Sequence, residues 1–162
     1  MTEIRKTQKK GEQSGAAELE RLESSARSAI KRAKRVVVKI GTNVVMQPNG
    51  ELALGRLCTL IEELVALKRQ GREIILVTSG AIGLGKGRLG ISGELLPRKQ
   101  ACAAVGQVIL MGVYEQAFGR FGVPVAQLLL TEEDFSNRVR YLNLRNAVSE
   151  LLSLGVLPIV NE

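Results

Sequence analysis

Short apolar runs alternate along the chain with longer stretches in which apolar residues recur every three or four positions. An apolar run of about four to eight residues, bounded by Gly or polar residues, is typical of a strand that is buried on both faces. Four such runs occur in the sequence: Arg35–Gly41, Glu73–Thr78, Val123–Leu130 and Val156–Val160. We therefore predict four buried strands.

Helical periodicity fills the stretches between these runs. It predicts helices over Gly55–Gln70, Arg98–Arg120 and Val139–Leu154, and a Gly closely follows each of them. Thr131 and Asp134 have the spacing of a capping box, which favours a helix start at that point. Strands that alternate with helices indicate the α/β class, with a mainly parallel open sheet in a three-layer α/β/α sandwich.

Two local features add to this picture. The sequence Gln47-Pro48-Asn49-Gly50 contains an Asn-Gly turn signal, and it predicts a hairpin between Asn43–Met46 and Glu51–Ala53. The sequence given ends at Asn161-Glu162, directly after the fourth predicted strand. We therefore expect the sheet to be truncated after about its fourth main strand.

The basic charge is concentrated near the N-terminus. The chain has 162 residues and a net charge of +7, and residues 1–35 carry ten Lys or Arg against five Asp or Glu. Met1–Gly15 is polar and predicts disorder, whereas Ala16–Lys34 predicts a helix. We therefore divide the chain into a basic N-terminal extension, residues 1–34, and a folded body, residues 35–162.

The composition excludes several kinds of chemistry. The sequence has no His, which removes His general bases, His-activated nucleophiles and His metal ligands. Cys58 and Cys102 form neither a CxxC site nor a disulfide framework, and both are expected to pack in the core. We predict no transmembrane segment and no secretory signal, which favours a cytoplasmic protein without a membrane partner. The basic extension lacks interleaved aromatic residues, so nucleic-acid binding is not expected.

Lys39 is the first candidate for chemistry. It interrupts an apolar strand, and it is followed by Gly41 and Thr42, which can bring the backbone and a hydroxyl group close to a ligand. Such a lysine either faces an anion, as in a phosphate site, or reaches solvent at the edge of a sheet. The strand by itself leaves both alternatives open.

Ser79 and Gly80 stand where the second strand meets the next helix. Unpaired N–H groups at a helix N-terminus favour anions, so this turn is a candidate phosphate or carboxylate site, although a plain N-cap serine has the same sequence. Asn161 follows the fourth strand. In an open parallel sheet ligands bind beyond the carboxyl ends of the strands, and we expect Lys39 and Ser79 to converge at that edge, with Asn161 on it.

Two phosphate-loop patterns match in part. Gly80–Gly87 resembles a Walker A loop that contains Lys86, but Gly87 replaces the Ser or Thr that holds magnesium. Gly85–Gly90 satisfies G-x-G-x-x-G, yet it begins well after the strand and lacks a downstream acidic residue for a ribose. We interpret both as accidental matches, and a Rossmann-type dinucleotide-binding domain based on these glycines remains the alternative.

Six segments of the folded body carry a family resemblance. They are VVVKIGTNVV, IILVTSGAIGLG, KQACAAVGQVILM, AQLLLTEEDF, RYLNLRNAV and VLPIVNE, which together run from Val36 to Glu162. In these segments the chain resembles the N-terminal part of the glutamate 5-kinases, in the amino acid kinase family. It is also similar to the kinase half of bifunctional pyrroline-5-carboxylate synthases.

This resemblance implies an activity and a role for the first candidate residues. The family transfers a phosphoryl group from ATP, with Mg²⁺, to the side-chain carboxylate of L-glutamate. The product is γ-glutamyl phosphate, in the first step of proline biosynthesis. By the resemblance, Lys39 neutralises charge on the transferred group, and Gly41 and Thr42 form the nucleotide-binding loop beside it.

The resemblance also assigns the substrate positions, which are Ser79, Gly80 and Asn161. Phosphoryl transfer depends on positioning and charge stabilisation, so a protein without His is able to perform it. The resemblance further implies a homo-oligomer in the complete protein, and it places the family's metal-organising residues beyond Glu162. We therefore expect no metal ligand in residues 1–162 and no turnover by this segment alone. A non-catalytic fragment that binds an amino acid is the other alternative.

Overall fold

The computed structural model describes residues 24–25, 27–91 and 95–161, and the chain divides into two units between Lys34 and Arg35. In the N-terminal unit, residues 24–25 and 27–32 are helical and exposed. This helix lies within the predicted range. The disorder predicted for Met1–Gly15 and the helix start predicted at Ala16 fall outside the described residues.

Parallel strands form the sheet of the second unit. Within its described residues the strands are β1 (Arg35–Lys39), β2 (Glu73–Thr78), β3 (Val125–Leu128) and β4 (Leu157–Asn161). Their order is β1-β2-β4-β3, and every neighbouring pair is parallel. The predicted α/β class with a mainly parallel open sheet is therefore confirmed, with β1 and β3 shorter than predicted.

Helices connect the strands. In the described part of the second unit they are α1 (Thr42–Val45), α2 (Leu54–Arg69), α3 (Ala81–Leu89), α4 (Leu96–Gly119), α5 (Glu133–Ser136) and α6 (Arg138–Ser153). The three long helices begin and end within two residues of their predicted bounds. Gly71 follows α2 and Gly155 follows α6, with φ angles of 83° and 74°. Glycine adopts this left-handed conformation readily, which lets the chain leave the helix towards the next strand.

The N-cap of α6 is not the predicted capping box. The side chain of Asn137 accepts hydrogen bonds from the N–H groups of Val139 and Arg140, at 2.9 and 3.1 Å, and so caps the helix. Asp134 Oδ2 accepts from Thr131 N at 2.7 Å and from Thr131 Oγ1 at 2.9 Å. These two hydrogen bonds, the backbone one first, hold the pKa of Asp134 below its usual value. The sequence thus predicts the Thr131–Asp134 pair, but the pair lies at the start of the short helix α5, which includes Asp134, and not at the start of the long helix.

The predicted hairpin after β1 is only partly present. The residues expected to form its first strand form α1 instead, a single helical turn in which Met46 N donates to Thr42 O at 2.7 Å. An isolated antiparallel bridge joins Met46 to Leu52, and Gly50, with a φ of 83°, occupies the turn. The Asn-Gly turn signal is confirmed, whereas the strand over Asn43–Met46 is wrong because the local backbone hydrogen bonds close a helical turn.

The core joins the sheet to helices α2 and α4. Its largest fully buried apolar side chains in these elements are Leu57, Ile61, Ile74, Leu76, Leu110, Tyr114, Phe118, Leu157 and Ile159. Removing such side chains from water is the main favourable contribution to folding. The two helices are therefore held against the strands whose carboxyl ends carry the candidate residues.

Among the described residues, α4 is the helix whose length and apolar composition would let it cross a membrane. The sequence analysis does not predict such a segment. The buried residues of α4 are Cys102, Gly106, Leu110, Tyr114 and Phe118, which recur every four positions. This spacing forms one stripe along the helix, and in this fold the stripe packs against the core and α3.

Helices α3 and α4 pack closely because both carry glycine where they meet. A Cβ atom on Gly85 would collide with the carbonyl oxygen of Cys102, and one on Gly106 would collide with that of Ala81. The two backbones therefore approach more closely than a larger residue allows. Since Ala81 is the first residue of α3, this contact fixes the start of α3 against α4.

The two cysteines differ in their surroundings. Cys102 is buried, as predicted. Cys58 is half-buried and lines an apolar groove of about 290 Å³ between α2 and α4, where Val113 and Phe121 are among its neighbours. The prediction of core packing is therefore wrong for Cys58, because its face of α2 is only partly covered.

Candidate functional site

The strand ends bring predicted site residues to one edge of the sheet. Lys39 is the last residue of β1 and is in register with Val77 of β2, and Asn161 is the last residue of β4, in register with Thr78. Ser79 follows Thr78 directly. Because all of these strands are parallel, Lys39, Ser79 and Asn161 lie at the same carboxyl edge, where open α/β sheets bind ligands.

Lys39 is exposed at the end of an edge strand. Among the described strands, β1 pairs only with β2. Val37 and Lys39, which share one face of β1, are exposed. Ile40 N donates to Val77 O at 2.8 Å, so the pairing continues one residue beyond Lys39. The sequence leaves two alternatives for Lys39, a lysine that faces solvent and a lysine that faces an anion. Its exposed position on an edge strand agrees with the first, and its place at the carboxyl end of the strand agrees with the second.

The turns after β1 and β2 meet through their hydroxyl groups. Thr42 Oγ1 and Ser79 Oγ lie 2.8 Å apart, and either atom is able to donate the hydrogen bond. Ser79 does not cap α3, because the N-cap residue is Gly80, with a φ of 108° that disfavours residues other than Gly. The N-cap alternative for Ser79 is therefore wrong, and its hydroxyl links two turns instead.

A cavity of about 470 Å³ opens beside this hydrogen bond, at the N-terminus of α3. It is lined by Thr42, Ser79, Gly80, Ala81, Ile82, Gly83, Lys86, Ala103 and Asn161. The first N–H groups of a helix have no partner inside the helix, and with the helix dipole they favour an anion in front of them. The structure thus brings four predicted site residues to one cavity, while Lys39 and Gly41 are not part of its lining.

Asn161 is held in place by Gln107 of α4. Asn161 Nδ2 donates to Gln107 Oε1 at 2.5 Å. The remaining amide atoms, Asn161 Oδ1 and Gln107 Nε2, are buried and have no hydrogen-bond partner within the described part of the chain. A buried acceptor and a buried donor without partners are costly, so a ligand that satisfies either of them gains affinity.

A buried hydrogen bond to Tyr114 of α4 holds Thr78 in place. Both residues are fully buried, and Thr78 Oγ1 and Tyr114 OH lie 2.7 Å apart. Burial raises the pKa of Tyr114 to about 12, although the hydrogen bond to Thr78 acts in the opposite direction. The phenol is therefore neutral at physiological pH. Since Thr78 is the last residue of β2, this hydrogen bond fixes the strand end that precedes Ser79.

The two phosphate-loop patterns lie in a helix and not in a loop. The Walker-like stretch 80–87 consists of the N-cap and the first seven residues of α3, so it cannot wrap around phosphates as a loop does. The stretch 85–90 covers the end of α3 and its C-cap residue Gly90. The structure therefore agrees with the interpretation of both matches as accidental, and it gives no support to a dinucleotide-binding domain.

The sequence analysis does not assign Gln107 or five of the residues that line the cavity, which are Ala81, Ile82, Gly83, Lys86 and Ala103. The position of Lys86 follows from the helical pattern, since it lies three residues after Gly83 and four after Ile82 and so shares their helix face. Ala103 and Gln107 share a face of α4 in the same way. Nothing in the sequence indicates that this face of α4 reaches the strand ends, because the crossing of α3 and α4 decides it.

One basic residue lines the cavity. Among the described residues that line it, Lys86 is the only ionisable one. Within residues 24–25, 27–91 and 95–161, no group of three or more His, Cys, Asp or Glu side chains is arranged to hold a metal ion. The lysine and the N–H groups of α3 together suit an anion such as a carboxylate or a phosphate.

Open α/β sheets bind ligands at their carboxyl edge, and the cavity of this chain lies at that edge. The model of the amino acid kinase family matches residues 34–162, and the chain belongs to this family. Two solved structures share the fold. A carbamate kinase from Giardia has a TM-score of 0.52 and 16% identity over 80% of this chain and 58% of its own. An isopentenyl phosphate kinase from T. acidophilum has a TM-score of 0.50 and 13% identity over 76% of this chain and 53% of its own.

Curated relatives narrow the comparison further. The glutamate 5-kinase from Moorella thermoacetica is 50% identical over 142 residues, which are 86% of this chain and 38% of that protein. The glutamate 5-kinase from Gloeobacter violaceus is 52% identical over 130 residues, which are 78% of this chain and 35% of that protein. The resemblance to the N-terminal part of the glutamate 5-kinases is confirmed, and the chain spans little more than a third of the length of these relatives.

Proposed function

We propose that this protein provides the acceptor-binding part of a glutamate 5-kinase, an ATP-dependent phosphotransferase that acts on the side-chain carboxylate of L-glutamate. The observation that carries the proposal is the cavity where Thr42, Ser79, Asn161 and the start of α3 meet. Its described lining contains a positive side chain and no negative one, which suits an acidic substrate. The proposed product is γ-glutamyl phosphate, formed in the first step of proline biosynthesis.

The proposed reaction needs charge stabilisation more than acid–base chemistry. An oxygen of the γ-carboxylate attacks the γ-phosphorus of ATP, the bond from that phosphorus to the bridging oxygen breaks, and ADP leaves with the electron pair. The carboxylate is already ionised at neutral pH, so no general base is required. The absence of His from the chain is therefore compatible with this chemistry.

Lys39 and the turn after it are assigned to the phosphoryl group. In the proposal Lys39, at the end of β1, neutralises charge that develops on the transferred group, and Gly41 and Thr42 form the nucleotide-side loop beside it. The 2.8 Å contact between Thr42 Oγ1 and Ser79 Oγ supports this arrangement, since it joins the loop to the acceptor side of the cavity.

Ser79, Gly80 and Asn161 are assigned to the amino acid. The hydroxyl of Ser79 and the N–H groups that follow Gly80 are donors for the acceptor carboxylate. Asn161 Oδ1 is a buried acceptor without a partner among the described residues, and the ammonium group of an amino acid provides a matching donor. Gln107 takes a positioning role in this assignment, because it holds the amide of Asn161.

ATP is the proposed phosphoryl donor, together with Mg²⁺. The described residues do not offer a carboxylate cluster for the ion, so we assign it no ligand in this chain and no step. The proposal also includes a cytoplasmic location, a homo-oligomer in the complete protein, and no membrane or nucleic-acid partner. Residues 35–162 belong in it to the kinase domain, and residues 1–34 form a basic extension.

Phosphoryl transfer is tested by trapping the product. The protein expressed from its complete reading frame is incubated with Mg-ATP, L-glutamate and hydroxylamine, which converts an acyl phosphate to a hydroxamate. The proposal predicts γ-glutamyl hydroxamate together with ADP, and much less product with D-glutamate or L-aspartate. For residues 1–162 alone it predicts glutamate binding without turnover.

Calorimetric titration with L-glutamate separates binding from catalysis in the same protein. Binding without hydroxamate would favour the alternative, a non-catalytic protein that binds an amino acid. Phosphorylation of carbamate or isopentenyl phosphate in place of glutamate would assign a different acceptor. A protein that neither binds L-glutamate nor phosphorylates it would contradict the proposed function.

A further inference from the structure

Gln107 has one amide atom to which the proposed function gives no role. Its Oε1 accepts a hydrogen bond from Asn161 Nδ2, whereas its Nε2 is buried and has no hydrogen-bond partner among the described residues. On the other side of this bond, Asn161 Oδ1 is buried and without a partner in the same part of the chain. A buried donor that forms no hydrogen bond is costly, so Nε2 favours a ligand atom that accepts one.

The position of Gln107 on α4 places its side chain beside the cavity. Ala103 lies one helical turn before Gln107, on the same face, and lines the cavity. Side chains of an α-helix lean towards its N-terminus, so the amide of Gln107 lies over the turn that contains Ala103. Asn161, to which this amide is bonded, also lines the cavity. The two linked amides therefore stand at the same wall of the cavity.

The linked amides carry one acceptor and one donor that are both unused. Asn161 Oδ1 can only accept hydrogen bonds, and Gln107 Nε2 can only donate them. An α-amino acid carries the complementary pair on a single carbon atom, because its ammonium group donates and its α-carboxylate accepts. With the ammonium group at Asn161, as in the proposed function, the α-carboxylate of the same ligand lies next to Gln107.

We propose that Gln107 Nε2 donates a hydrogen bond to the α-carboxylate of the acceptor and so selects an α-amino acid from among other carboxylates. This inference rests on the proposed function, since it assigns a further residue to the same substrate. Gln107 binds the acceptor at its α-carbon and does not contact the transferred phosphoryl group. The negative charge of the α-carboxylate makes this hydrogen bond stronger than one between neutral groups.

A purely structural role for Gln107 is the competing explanation. In that case Gln107 only holds the amide of Asn161, through Oε1, and its effect extends to every ligand whose ammonium group binds there. The ligand 4-aminobutyrate separates the two explanations, because it is L-glutamate without the α-carboxylate and retains the ammonium group and the γ-carboxylate. A structural role affects both ligands equally, whereas a direct contact affects L-glutamate alone.

Calorimetric titrations compare these two ligands on the wild-type protein from its complete reading frame and on Gln107→Glu. This substitution keeps a side-chain oxygen that accepts from Asn161 Nδ2, and it replaces the donor Nε2 with an oxygen of a carboxylate that is ionised at about pH 8. A charge-assisted hydrogen bond corresponds to about 10- to 100-fold in affinity. We expect Gln107→Glu to weaken L-glutamate binding by at least that factor and to weaken 4-aminobutyrate binding by less than about threefold.

Gln107→Met is the second variant, since its unbranched side chain has a similar size and introduces no buried charge. It removes the hydrogen bond to Asn161 and so weakens both ligands, but the preference for L-glutamate over 4-aminobutyrate should still fall by about 10-fold or more. The matched control is Gln116→Glu, at an exposed position of the same helix, which should leave both affinities unchanged. Urea unfolding of each variant identifies a loss of binding that results from unfolding.

Two results would overturn the inference while the proposed function stands. One is a Gln107→Glu protein with the wild-type affinity for L-glutamate, and the other is an equal loss for both ligands in the two Gln107 variants. A wild-type protein that binds 4-aminobutyrate as tightly as L-glutamate would also contradict a contact to the α-carboxylate. A wild-type protein that neither binds nor phosphorylates L-glutamate would overturn the proposed function and the inference with it.

Discussion

Thr42 Oγ1 and Ser79 Oγ lie 2.8 Å apart, and each residue belongs to the turn that follows a different strand. Their positions in the sequence are 37 residues apart, so only the parallel pairing of β1 and β2 brings them together. The contact joins the loop after Lys39 to the start of α3. In the proposed function, this contact links the residues assigned to the phosphoryl group to those assigned to the acceptor.

Removing either hydroxyl is expected to weaken ligand binding without unfolding the protein. Thr42→Val and Ser79→Ala should each raise the calorimetric Kd for L-glutamate by about 3- to 10-fold, the usual effect of one hydrogen bond. The double variant should lose less than the two single effects combined, because each single change already breaks the shared bond. Thr59→Val is the control, since the hydroxyl of Thr59 bonds only to Gly55 O within α2. Full additivity would show that the two hydroxyl groups act independently.

The buried pair of Thr78 and Tyr114 should contribute to stability. Tyr114→Phe removes the phenol hydroxyl and leaves Thr78 Oγ1 buried, with a remaining contact of 3.4 Å to Ser79 O. We expect the free energy of unfolding to fall by about 1–3 kcal/mol, as measured by urea denaturation. Tyr141→Phe, at an exposed tyrosine of α6, should change it by less than about 0.5 kcal/mol. Equal effects at both positions would contradict the importance of the buried bond.

The raised pKa of Tyr114 predicts a loss of stability at alkaline pH. Tyr114 has a pKa of about 12 in the folded protein, against an ordinary value of 10.0, because burial penalises the phenolate. The unfolded chain therefore loses this proton first as the pH rises. The contribution of Tyr114 is complete below pH 10 and is lost between pH 10 and about pH 12. The free energy of unfolding, measured across this pH range, should decline in the wild type and lack this decline in Tyr114→Phe. Identical pH dependence in the two proteins would show that the phenol is not protected.

The close approach of α3 and α4 should make Gly106 intolerant of a side chain. A Cβ at this position collides with the carbonyl oxygen of Ala81, so Gly106→Ala should destabilise the fold by about 1–3 kcal/mol or more. Gly112 lies on the same helix, and a Cβ there meets no atom within 4 Å. Gly112→Ala should therefore stabilise the protein by about 0.5–1 kcal/mol through helix propensity. The opposite signs of the two substitutions are the diagnostic result in thermal unfolding.

The sequence predicts the secondary structure well where the pattern is long or apolar. The strand Glu73–Thr78 has the predicted bounds because its apolar run ends in polar residues on both sides. The pattern after β1 predicts a strand over Asn43–Met46, whereas the structure forms the helical turn α1, since only four residues decide it and their backbone hydrogen bonds are local. Short segments carry too little periodicity to distinguish these outcomes.

The site is predictable only in so far as it follows the strand ends. The order of strands and helices places Ser79 and Asn161 at the carboxyl edge, which the α/β pattern by itself indicates. The link from Asn161 to Gln107 spans 54 residues and depends on where α4 crosses the sheet. Likewise, Lys86 belongs in the sequence to a false phosphate-loop motif, and it lines the cavity because α3 is a helix that brings Lys86 to the same face as Ile82 and Gly83.

The central claim is that the carboxyl edge of this sheet performs phosphoryl transfer, and Lys39→Met tests it most directly. The measurement is the rate of γ-glutamyl hydroxamate formation at saturating L-glutamate and Mg-ATP, with Lys68→Met on α2 as the control. Loss of an electrostatic stabiliser at the transferred group should lower kcat by about 10²- to 10³-fold, with the glutamate KM changed little. A Lys39→Met protein with the kcat of the wild type would contradict the account.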